Sequence, residues 1–292
     1  MKRSSVVKSL TIGLVLAVMG GCATLSEKQG EWIFQPSTRS WGSGLEAAQG
    51  MQDVWVEFES KLSGKPVKLH GLWHAAEGGA TIGAIAAKAP VLLYLHGARW
   101  NVTGSAPRVR RMQELGFSVL AVDYRGFGKS DASLPSESQS YEDAQAAWNW
   151  LATKYPNQPR YIFGHSLGGA IAIELASRVT DETGTIVEGT FTSIPDVFDT
   201  MKWGWLPVNS LITQRFESIK KVAQIGSPLL VVHGEDDSLI KPELGRKLFD
   251  AAVGPKEFVL VPGGSHHNTN AVGQPQYRQA LAQLFRLPVT TP

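Results

Sequence analysis

From Val91 to Val261 the chain alternates short apolar runs with longer stretches of mixed polarity. The runs are Val91–Leu95, Ser118–Asp123, Arg160–Gly164, Thr185–Glu188, Leu229–His233 and Glu257–Val261. They lack the every-other-residue polarity of a half-exposed strand, so each reads as a strand buried on both faces. The segments Ala106–Leu115, Tyr141–Lys154, Gly168–Arg178, Lys241–Ala252 and Gln276–Phe285 read as helices. Strand and helix in regular alternation predict a parallel sheet with helices on both faces. Upstream, Val54–Phe58 and Val67–Trp73 flank a Ser63-Gly64-Lys65-Pro66 turn and predict an opening antiparallel pair. The expectation is therefore an α/β fold with a mostly parallel sheet of eight strands.

The 292 residues and 43% apolar content suffice for one large core, expected over residues 51–292. The first 21 residues depart from this pattern. Lys2, Arg3 and Lys8 precede an apolar run, Leu10–Met19, and Gly20-Gly21 then lead into Cys22. Such a run is too short for a permanent membrane span and suits a cleaved export signal. The segment resembles a bacterial lipoprotein signal, which implies cleavage after Gly21 and lipid attachment at Cys22, the single cysteine. By the same resemblance, Ala23 after the cysteine implies an outer-membrane location facing the periplasm. Residues 22–50 then read as a lipid-anchored tether, partly docked at Trp32-Ile33-Phe34.

Charge changes the picture by exclusion. The full chain carries 28 basic and 26 acidic residues, and the leader takes three of the bases with it. A near-neutral remainder without a basic run argues against a nucleic-acid partner. No His, Cys and Asp spacing matches a zinc or two-metal site, and the Gly126 and Gly128 region lacks the context of a phosphate-binding loop. Neither metal nor cofactor is expected.

The chemistry lies at the strand ends. Gly164-His165-Ser166-Leu167-Gly168-Gly169 follows the run Tyr161-Ile162-Phe163. Small residues two before and two after a serine let a strand reverse sharply into a helix, which projects the hydroxyl into a cleft. A serine needs a base to act as a nucleophile, so this spacing calls for a histidine and a carboxylate elsewhere. Candidates follow later strands, in His233-Gly234-Glu235-Asp236-Asp237 and Gly263-Gly264-Ser265-His266-His267-Asn268.

With Val67–Gly71, Tyr94-Leu95-His96-Gly97, Asp123–Gly128, the serine turn, Glu188–Ser193 and Pro228–Gly234 all present, the chain resembles an α/β hydrolase. It looks most like the small-cap branch that includes serine-aminopeptidase-like proteins, monoacylglycerol lipases and protein depalmitoylases. The resemblance implies that Ser166 attacks an acyl carbon, with Asp237 and His266 completing a triad in that chain order. His267 is the alternative base and Glu188 a remote alternative acid. It also implies an oxyanion hole from the backbone N–H groups of Ala98 and Leu167. A small cap is expected around residues 191–224, with Trp100, Phe191, Trp203, Trp205 and Leu206 as candidate substrate walls. The expected activity is hydrolysis of an ester, thioester or similar acyl bond in a small-molecule or acyl substrate. Peptide hydrolysis and a non-catalytic envelope binding protein are the alternatives.

Overall fold

Residues 24–39, 43–76, 89–99, 101–202, 204–206 and 209–287 are described in the computed structural model. A helix through residues 24–34, α1, is followed by α2 (Ser43–Ala47), β1 (Gln52–Glu59) and β2 (Pro66–His74). Then come β3 (Val91–Leu95), α3 (Val102–Glu114), β4 (Ser118–Val122), α4 (Glu137–Lys154), β5 (Arg160–His165) and α5 (Leu167–Ala176). The second half contains β6 (Gly184–Glu188), α6 (Ile194–Asp199), β7 (Leu229–Gly234), α7 (Pro242–Ala251), β8 (Lys256–Val261), α8 (Thr269–Val272) and α9 (Gln274–Phe285). The strands form one sheet in the order β1-β2-β4-β3-β5-β6-β7-β8. Only the β1–β2 and β2–β4 pairings are antiparallel.

Burial follows from this order. The inner strands β3 to β7 are buried along their whole length, because helices cover both of their faces. On one face Ala144, Trp148, Ile171, Ile173, Leu244 and Leu248 from α4, α5 and α7 pack onto the sheet. On the other, Val109 and Met112 of α3 join Tyr277 and Leu281 of α9. Strand β1 keeps one face toward solvent and alternates buried with exposed residues.

Helices α3 and α4 start four residues earlier than hydrophobic periodicity places them. Asn101 caps α3 by accepting from the Gly104 N–H at 2.9 Å, and Ser136 caps α4 through the Gln139 N–H. These first turns are mostly polar and carry little periodic apolar signal. The chain order also reverses between β3 and β5: the path runs from β3 outward to β4, then crosses back to β5 on the other side of β3. Loops leaving β3 and β5 therefore diverge and open a crevice at their carboxyl ends.

The segment expected as a tether is more closely held than its polar composition suggests. Phe34, at the end of α1, is fully buried against Phe127 and Phe216, with ring centroids 6.4 and 5.7 Å away. Gln29 donates to the Leu211 carbonyl at 2.6 Å and accepts from the Thr213 N–H at 2.7 Å. Polar side chains thus fix α1 to the segment between β6 and β7. The leader, Cys22, Trp100 and Trp203 lie outside the described residues.

Gly168 marks where α5 crosses closest to the sheet. A Cβ there would lie within 2.1 Å of the Leu95 carbonyl oxygen and 2.6 Å of that of His96. Gly168→Ala should lower the unfolding free energy by about 1–3 kcal/mol, since backbone cannot move aside as a flexible side chain would. Gly226→Ala, where a Cβ meets nothing within 4 Å, should stay within about 0.5 kcal/mol of wild type. Urea denaturation of both variants checks this, and equal midpoints would refute the steric reading.

Candidate active site

The serine turn is built as its spacing requires. Strand β5 ends at His165, α5 begins at Leu167, and Ser166 between them has φ 54° and ψ −121°. Left-handed backbone at a non-glycine residue costs on the order of 1–3 kcal/mol and persists only where neighbours enforce it. Here they do. The Ser166 N–H donates to the Glu188 carbonyl at 2.9 Å, and its own carbonyl accepts from the Thr190 hydroxyl and the Gly169 N–H, each at 2.9 Å. Gly164 tolerates the approach of α5 because a Cβ there would lie 2.2 Å from the Gly168 oxygen.

Two further loops converge on the hydroxyl. His266, after β8, places Nε2 3.0 Å from Ser166 Oγ, and its Nδ1 lies 2.8 Å from Asp237 Oδ2. With Nδ1 donating to the carboxylate, Nε2 is left as an acceptor for the serine proton. Asp237, after β7, is buried, while the adjacent Glu235 and Asp236 are exposed. Its Oδ1 accepts from the Leu239 and Ile240 N–H groups at 3.0 and 2.8 Å. Burial pushes this carboxyl up, but the hydrogen bonds and charge from His233, His266 and the loop outweigh it and hold it well below the usual carboxylate range. A serine, imidazole and carboxylate joined in this way can pass a proton from hydroxyl to ring while the carboxylate stabilises the resulting imidazolium.

The neighbours of this array have other partners. The His267 ring stands edge-on to His266, with centroids 5.3 Å apart. Burial, followed by the charges of His266 and Arg108, lowers its pKa. The Glu188 carboxylate has partners other than the His266 ring. It accepts from Arg108 Nε at 3.0 Å and from the Tyr277 hydroxyl at 2.6 Å. Arg108 Nη2 then reaches the carbonyls of His267 at 3.1 Å and His266 at 3.3 Å. His165 Nε2 lies 3.0 Å from the same His266 carbonyl. Burial, then the Arg108 charge, pushes the His165 imidazole well below its usual pKa. This brace of Arg108, Glu188 and Tyr277 was invisible in the sequence. Its members come from α3, β6 and α9, and no spacing rule links them.

Ser166 opens into a cavity of about 400 Å³. Gly97 and Ala98, after β3, line it together with Leu167, and a Cβ on Gly97 would lie 3.1 Å from that of Ser166. The Leu167 N–H stands in the first turn of α5, where a helix has no internal acceptor to offer. The walls are apolar: Phe191, Ile194, Val197 and Phe198 from the α6 region face Trp32 and Ile33 of α1. Phe191 is where the sequence reading expects it. Trp205 is not; it is 74% exposed, and neither it nor Leu206 lines the cavity. Bulk drew attention to these residues, but the Ser193 cap and Pro195 start α6 earlier and make that helix the wall. The contribution of α1 had no signal beyond its aromatic content.

The chain is similar to several known proteins. A family model described as serine aminopeptidase, S33, matches residues 86–219. An uncharacterized protein of Mycobacterium tuberculosis, MT2364, is 30% identical over 260 residues, covering 88% of this chain and 87% of that protein. The zebrafish (Danio rerio) lysophosphatidylserine lipase ABHD12 is 34% identical over 219 residues, 64% of this chain. The chain spans 56% of that lipase. Among solved structures, the Pyrococcus furiosus esterase Pf2001 superposes with a TM-score of 0.65 at 20% identity, covering 87% of this chain and 97% of the esterase.

The depressed pKa of Asp237 has a consequence for stability. A carboxyl lowered in the folded state stabilises above its unfolded pKa, about 3.9, and loses that contribution as pH falls toward the folded value. Urea unfolding of wild type and Asp237→Asn should therefore differ by a constant gap between about pH 5 and pH 7, closing below about pH 4. A gap independent of pH through the acid range would contradict the ionised assignment.

Proposed function

The chain belongs to the α/β-hydrolase superfamily, and on that premise we propose that it is a serine hydrolase that cleaves carboxylic esters or thioesters of apolar acyl groups. The observation that carries this reading is the continuous contact from Asp237 through His266 to Ser166, at 2.8 and 3.0 Å. Ser166 Oγ attacks the carbonyl carbon as His266 Nε2 takes its proton, and Asp237 stabilises the charged ring. The N–H groups of Leu167 and Ala98 receive the oxyanion, one such donor being worth about 2.7–4 kcal/mol. His266 then protonates the departing alkoxide or thiolate, leaving the acyl group on Ser166. Water, deprotonated by the same ring, releases the acid.

Three features support an acyl ester over a peptide. The walls of the cavity are apolar and offer few groups for a peptide backbone. The ABHD12 relative is named as a lipase, and the Pf2001 neighbour as an esterase. Peptide hydrolysis is the second reading, favoured by the description of the matching family model. The location proposed is the cell envelope, with the chain held by lipid on Cys22. Apolar side chains exposed at the cavity mouth, Trp32, Met201 and Leu211, suit an enzyme working beside a membrane. No helix among the described residues is long and apolar enough to cross one.

A fluorophosphonate probe should label the intact protein and fail on Ser166→Ala. With p-nitrophenyl esters, His266→Ala should reduce kcat on the order of 10⁴-fold or more, whereas His267→Ala should retain turnover within about tenfold. No labelling of folded wild type would favour the binding-protein alternative. Equal retention of turnover in the two histidine variants would remove His266 as the base. Mass spectrometry of the envelope protein should find Cys22 acylated, and a free thiol there would overturn the anchor.

A further inference from the structure

Arg99 is the only Lys, Arg, Asp or Glu among the described residues lining the cavity. It follows Ala98, the proposed oxyanion donor, and stands exposed at the mouth. Among the described residues no carboxylate forms an ion pair with it. Its backbone is left-handed at φ 71°, a conformation uncommon for an arginine. The Arg99 N–H donates to the Phe34 carbonyl at 2.9 Å, and Phe34 is fully buried, so α1 holds this residue in place. A strained backbone held by a packed neighbour is the pattern of a residue kept for function.

We propose that Arg99 binds an anionic group on the substrate and selects acyl esters that carry a phosphate or carboxylate a few atoms beyond the scissile bond, on the leaving-group side. The inference rests on the assignment of Ser166 as nucleophile. With the acyl chain against the apolar walls of α6 and α1, the leaving group points to the mouth, where the guanidinium stands. A guanidinium offers a planar pair of donors to an oxyanion, and its charge draws anionic substrate toward the cleft. No acidic side chain among the described residues lining the cavity offsets that attraction.

Four esters test this: 1-lauroylglycerol, 1-butyrylglycerol and the 3-phosphate of each, hydrolysed by the intact protein. Wild type should favour the phosphorylated member of a pair by about tenfold or more in kcat/KM, mainly through KM, and high salt should reduce the preference. Arg99→Gln should bring the ratio near one, Arg99→Lys should keep part of it, and Arg99→Glu should invert it. A preference in both pairs marks the phosphate itself as the recognised group. Confinement to the lauroyl pair marks a lipid headgroup. If Arg99→Gln fails to fold, Arg99→Gly accommodates the φ of 71° and should also lose the preference. A ratio near one in wild type, or a ratio unchanged in both variants while turnover of all four esters falls, would overturn the proposal. Failure to hydrolyse any of the four, with no fluorophosphonate labelling, would instead remove the hydrolase reading beneath it.

Discussion

Ser166 occupies a backbone conformation that an L-residue adopts only under constraint, and the rest of the site is arranged around that one turn. Its φ of 54° sends the chain from β5 into α5 without an intervening loop. The hydroxyl therefore stands above the sheet while the first free N–H groups of the helix face the same space. Hydrogen bonds from both sides maintain the turn, through the Glu188 carbonyl and the Thr190 hydroxyl. Both partners belong to β6 or the residues just after it, so the nucleophile's position depends on the parallel pairing of β5 with β6, in which His165 lies opposite Glu188.

The same Glu188 links that turn to the histidine loop. Its main chain holds Ser166, while its carboxylate holds Arg108, which in turn donates to the carbonyls of His266 and His267. A buried ion pair contributes little net stability, because desolvating both charges offsets most of their attraction. Its value here is geometric: one carboxylate on β6 ties α3, α9 and the loop after β8 to the neighbour of β5, the strand that leads into the serine. Tyr277 completes the coordination from a fully buried position, and burial followed by the Glu188 charge raises its pKa well above normal. The tyrosine thus remains a neutral donor.

The cavity draws its walls from segments far apart in the chain. The α6 region lies between β6 and β7, whereas α1 precedes the sheet altogether, and each supplies apolar side chains to the same opening. Phe34 anchors α1 through aromatic contacts, and its carbonyl also sets the course of the loop after β3. The mouth is thus shaped by a segment whose composition predicts a tether docked only in part, at Trp32-Ile33-Phe34.

Apolar patterning disclosed the strands of the sheet, and the structure decided their order. Runs such as Val91–Leu95 and Leu229–Val232 are uniformly apolar, and their shortness and alternation with helical stretches suit strands covered on both faces. The glycines around Ser166 and the order of Ser166, Asp237 and His266 also disclosed the candidate site, since a sharp turn and a proton relay each demand particular residue types. The sequence could not separate His266 from His267 by composition, or locate the wall among five bulky candidates, or find Arg108 and Tyr277. Those outcomes depend on which side chains approach in space across separations such as the 158 residues between Arg108 and His266. Local patterns record whether a residue is buried and how its backbone must bend. Which partner it meets is decided only when the sheet brings distant loops to one edge.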